Sequence, residues 1–148
     1  MSIGAGFYAL DRYRLRALVI DPSTVSGFLH SPAELGGPHD SQTVEQAWDV
    51  VRALLPEAVD GEMLEGTDGL GCIYFTAAHV ERAAARLAAC EVRGLVAKFT
   101  GEPAKFAELY RATLWQGATT ELAAFLEGVK RFFADASERR DAVVFYIA

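Results

Sequence analysis

The sequence predicts an α+β fold: a small mixed or antiparallel sheet with N-terminal, central and C-terminal strands, covered by several helices. Three observations predict it. Short apolar runs open the chain at 3–10, recur at 72–75 and close it at 143–147. Between them, apolar residues return at three- and four-residue spacing, the period of a buried helix face. The resulting order, with helices between three single strands, has too few strands for a Rossmann sheet or a βα barrel. The 148 residues fit one domain, 1–148, able to bury a core without a metal or disulfide staple.

Each element has a local reason. Phe7, Tyr8 and Leu10 favour a strand at 3–10, although Gly4 and Gly6 weaken it. Asp11 caps a short helix over 12–19 that buries Leu15, Leu18 and Val19. Asp21-Pro22 starts a second, to about residue 29, burying Val25, Phe28 and Leu29. Residues 30–42, with prolines and paired glycines, read as loop. Thr43 and Gln46 form a capping-box pattern for a helix to residue 55, with Val44, Ala47, Trp48 and Val51 inward. Pro56 ends it, and a loop over 56–71 follows, carrying Glu57, Asp60, Glu62, Glu65 and Asp68 among glycines. After the strand at 72–75, Thr76 begins a helix to about residue 89 with Val80, Ala83 and Leu87 on one side. Further helices are expected over 91–99 and from Pro103, with a less regular stretch at 111–119 holding Trp115. The longest helix, 120–136, repeats Leu122, Phe125, Leu126, Val129, Phe132 and Phe133. Gly128 inside it implies a close neighbour.

Composition excludes whole classes. Apolar residues are 51% and charged residues 23%, too apolar for disorder. No run of 18 apolar residues spans a membrane, and the N-terminus lacks the pattern of a secretory signal, so a cytoplasmic protein is expected. Acidic residues outnumber basic ones 20 to 14, which argues against nucleic-acid binding. Cys72 and Cys90 lack metal-ligand spacing and are expected to be two buried thiols.

No catalytic motif stands out. The glycine cluster at 66–71 precedes a strand and lacks a following Gly-Lys-Ser/Thr, so it reads as a turn and not a phosphate loop. His79 sits in a helix's first turn without a His-Glu-x-x-His pattern. His30, His39 and Asp40 read as residues in or beside a loop, with Asp21 and Asp68 as the further carboxylates available to them. No serine lies in a nucleophile elbow. The aromatics Tyr8, Trp48, Tyr74, Trp115 and Tyr146 are candidates to line a cleft, Trp48 and Tyr74 above all.

Four patches carry a family resemblance. Gly6-Phe7-Tyr8-Ala9-Leu10 precedes a short helix and Asp21-Pro22; Ala47-Trp48 precedes paired leucines. Tyr74-Phe75-Thr76 enters a helix at Val80, and Phe132-Phe133 leads through Ala136 to residues 138–143. In that order they resemble the YfbM-like bacterial proteins, a domain-of-unknown-function family, over almost the whole chain. The resemblance implies a small α+β protein with no established activity or catalytic set to carry over. It also implies glycine before Asp141, where this chain has Arg140.

The expected function is therefore a protein-interaction or binding module without catalytic activity, cofactor or metal. The binding residues expected are Glu62, Glu65, Asp68, Trp48, Tyr74, His79 and Trp115. The acidic loop favours a basic protein partner, an immunity-type role being one version. The alternative is a small enzyme or ligand-binding protein with a pocket near His79, Trp48 and Tyr74.

Overall fold

The computed structural model describes residues 2–148. Its five strands are β1 (Ala5–Leu10), β2 (Asp40–Glu45), β3 (Glu62–Met63), β4 (Gly71–Phe75) and β5 (Ala142–Ile147). They form one antiparallel sheet in the order β2-β1-β5-β4-β3. The three strands legible in the sequence are the central three, with the C-terminal strand in the middle. Seven α-helices accompany them: α1 (Arg12–Ile20), α2 (Val25–Leu29), α3 (Trp48–Leu54), α4 (Ala77–Ala88), α5 (Val92–Gly101), α6 (Ala112–Gln116) and α7 (Thr119–Arg139). Among the described residues no helix is long and apolar enough to cross a membrane.

Strand alternation divides the core in two. Phe7, Ala9, Phe75, Val143 and Phe145 face the larger cluster, built with α3, α4, α5, α6 and α7. The Phe7 ring lies 4.7 Å from that of Phe145 and 5.7 Å from that of Phe133, and Phe75 meets Phe133 edge-on at 5.4 Å. On the other face Leu10, Cys72, Val144 and Tyr146 pack against Leu15, Leu18, Val25 and Leu29 of α1 and α2.

Several expectations need correction. Residues 30–42 are not all loop, and Thr43 caps no helix: residues 40–45 pair with β1 as an edge strand. Val44 is buried in either geometry, which is why helical spacing misled. The ladder shifts register at Ala5/Gly6, where Glu45 adopts φ 46°, and α3 starts only at Trp48. The acidic stretch at 56–71 is likewise partly ordered, with a 3-10 turn at Pro56–Val59 and β3. Pro103 opens a 3-10 turn, and residues 112–116 form α6. Val19 is exposed. Gly128 does have a close neighbour: a Cβ there would meet the Gln42 side-chain amide at 2.7 Å.

Two helix ends yield predictions. Asp11 caps α1 by accepting the Arg14 N–H at 2.9 Å, and this backbone bond, with the Arg14 guanidinium behind it, holds its carboxyl below the ordinary value of 3.8. A depressed carboxylate stabilises the fold above its unfolded pKa, and that stability is lost as pH falls through the folded value. Asp11→Ala is therefore expected to cost about 1 kcal/mol at pH 7 in urea melts, with the difference shrinking below about pH 4. A difference independent of pH contradicts the cap.

At the other end, α7 stops on Arg140 at φ 59°. Its N–H bonds the Ser137 carbonyl at 3.1 Å, and the Asp141 N–H bonds that of Ala136 at 2.9 Å. This is a Schellman end, where glycine avoids the steric cost of the left-handed conformation. Arg140→Gly is expected to stabilise by about 0.5–1 kcal/mol, read as a higher urea midpoint at an unchanged m-value. A lower midpoint contradicts it.

Candidate functional site

The sheet face under the larger core is covered unevenly. Near the β3 edge the rows of side chains run Met63, Ile73, Phe145 and then Gly71, Ile147, by the strand registers. Gly71 contributes no side chain, so the second row has a gap. Residues 64–70 close one end, with Leu70 N–H bonded to the Ile147 carbonyl at 2.7 Å. Gly69 makes that approach possible, since a Cβ there would lie 2.6 Å from the same carbonyl. Over the gap hang Trp48 and Arg52, one turn apart on α3. Together they enclose a groove of about 570 Å³, a size typical of ligand sites.

The overhanging wall is held firmly. Trp48 donates its indole N–H to the Ile3 carbonyl at 3.0 Å and stacks on Tyr110, with ring centroids 5.7 Å apart. Tyr110 accepts the Ile3 N–H at 3.0 Å, a bond that lowers its phenol pKa, with help from Arg111. Buried Asp49 accepts the Tyr110 N–H at 2.9 Å and Arg52 Nε–H at 2.9 Å, and Arg52 Nη2 bonds it too. The Arg52 charge is thus already paired. Opposite, Glu65 lines the groove, while Met63 and Leu70 stand 74% and 69% exposed beside it.

The residues expected to bind are distributed as follows. Trp48 and Glu65 line the same groove; Glu62 and Asp68 are exposed on the adjoining edge and loop. Trp48 is half-buried, not fully packed, because it faces the groove. Tyr74 packs on the α1–α2 side of the sheet, opposite Trp48. His79 rests on Phe75 at 4.7 Å between centroids and is held at its N–H by Thr76; the groove includes neither Tyr74 nor His79. Trp115 is buried against Phe125.

A polar cluster escaped the sequence reading. His39 Nδ1 lies 3.2 and 3.3 Å from the two oxygens of buried Asp141, and Arg139 Nε–H bonds Asp141 at 2.9 Å. The carboxylate supplied to His39 is thus Asp141, not Asp40, Asp21 or Asp68. His39, Tyr8, Ser31 and Ser41 border a hollow of about 240 Å³. Beside it, Gly4, Gly6, His30, Glu45 and Tyr146 help line a second of about 500 Å³, which shares Tyr8. His30 Nδ1 lies 2.6 Å from the Ser26 carbonyl and so carries its proton there. Burial, then Tyr146, pushes the Tyr8 phenol pKa up. Among the described residues no three His, Cys, Asp or Glu side chains converge on a metal position.

The chain matches the family described as Domain of unknown function (DUF1877) over residues 1–146, and it belongs to that family. No curated protein matches it. Its fold is similar to the crystal structure of YfbM from Escherichia coli, a protein of unknown function, with a TM-score of 0.73 and 13% identity. The likeness covers 98% of this chain and 99% of that one.

The two thiols differ, against the expectation that both are buried. Cys72, behind the groove floor, is buried and desolvation pushes its pKa up to about 11; Cys90 is partly exposed. A water-soluble disulfide reagent at pH 8 is expected to modify Cys90 first and Cys72 only on unfolding. Equal rates for both thiols in the folded protein contradict this.

Proposed function

We propose that this member of the DUF1877 family is a binding module, and that the groove between α3 and the 64–71 loop is its ligand site. One observation carries the reading: a rigid, largely apolar hollow with an exposed apolar rim, where the missing Gly71 side chain leaves the sheet uncovered. The polar groups around it are few. Arg52 is bonded to Asp49, so the lining offers apolar contact with an acidic margin.

The test uses small apolar probes, N-acetyl-leucinamide and N-acetyl-isoleucinamide, followed by amide chemical shifts. Shifts are expected to gather at Trp48, Ile73, Ile147 and the 64–71 loop. Gly71→Val, whose Cβ would meet the Ile147 side chain alone, with Cδ1 at 3.2 Å, is expected to abolish them while keeping the spectrum folded. Shifts that persist in a folded Gly71→Val protein, or that gather elsewhere, overturn the reading.

A further inference from the structure

The outer wall of the groove is also an edge of the sheet. β3 is last in the strand order, so one side of its backbone has no strand beside it. The ladder fixes which groups face that side. Leu64 N–H donates to the Cys72 carbonyl at 2.9 Å, and residues of an antiparallel strand alternate between inward- and outward-facing backbone groups. The N–H and C=O of Met63 therefore point away from β4. Such an edge is a template for an added strand, and alternate side chains of that strand would fall on the groove side.

Charge selects what can add there. Glu62, Glu65 and Asp68 are exposed along the edge and its loop, in a chain of net charge −6. Arg52, the cation in the groove lining, is bonded to Asp49. A second copy pairing edge to edge would set these carboxylates against their own kind, which disfavours self-association. Resting on the groove reading, we propose that the occupant is an extended, basic segment of a protein partner. It adds to β3 as a sixth strand, places apolar side chains in the groove and sets lysine or arginine against Glu62, Glu65 and Asp68.

The probe is a short synthetic peptide alternating lysine and isoleucine, titrated calorimetrically at low and moderate salt. Three comparisons accompany it: the same peptide N-methylated at alternate amides, a glutamate–isoleucine peptide, and the protein variant Glu62→Gln/Glu65→Gln/Asp68→Asn. The lysine peptide is expected to bind and to slow exchange of the Met63 amide. Affinity is expected to fall at least about tenfold on N-methylation, in the neutralised variant, and at the higher salt. The glutamate peptide is expected not to bind. Equal binding of the N-methylated and parent peptides overturns strand addition, and equal binding of the glutamate peptide overturns the charge assignment. Concentration-dependent dimers that bury β3 also overturn it, in favour of a second copy. If leucinamide binds the groove and the lysine peptide does not, this inference fails alone; if neither binds, the groove reading fails with it.

Discussion

β5 is the constraint on which the rest of the structure depends. Its residues 142–146 are buried on both faces of the sheet, and it takes its hydrogen bonds from β1 on one side and β4 on the other. A strand of that kind must be covered by helices above and below, because Val143 and Phe145 need one apolar partner set and Val144 and Tyr146 need another. α7 leads straight into it through the single left-handed residue Arg140. The fold is therefore closed by its last strand. Contacts such as Phe7 with Phe145 join the two ends of the sequence.

The groove follows from the same arrangement. The helices that cover Phe7, Phe75 and Phe145 leave the row at Gly71 and Ile147 open, and α3 reaches it only with Trp48 and Arg52. The chain of bonds from Ile3 through Tyr110 and Asp49 fixes those two side chains. A site built this way is preorganised: little side-chain ordering remains when a ligand enters, which favours binding over a surface that must first be assembled. The polar hollows around Tyr8 lie on the other face. There the His39–Asp141 pair joins the start of β2 to the turn before β5.

How much of this was legible depended on whether local pattern and final environment agreed. β1, β4 and β5 are apolar because they are central, and α4 and α7 carry one buried stripe each, so periodicity found them. β2 reads Asp-Ser-Gln-Thr-Val-Glu with Val44 alone buried, as suits an edge strand, and β3 is two exposed residues; neither leaves an apolar signature. In the site, Trp48 and Glu65 were recognisable as residue types. The gap at Gly71 was not, because a missing side chain matters only once register places Ile147 and Ile73 around it. For His39 the sequence pointed to Asp40, Asp21 and Asp68, whereas the carboxylate that reaches it is Asp141, 102 positions away.

β5 is the protected middle of the sheet and β3 its open edge, a difference that native-state hydrogen exchange reads residue by residue. The amides of Val143, Val144, Phe145 and Tyr146 are predicted to exchange only through global unfolding, with a denaturant dependence equal to the equilibrium m-value. The outward amide of Met63 is predicted to exchange quickly in the free protein. Exchange of β5 through a smaller, sub-global opening, or protection of Met63 approaching that of β5, would contradict the account.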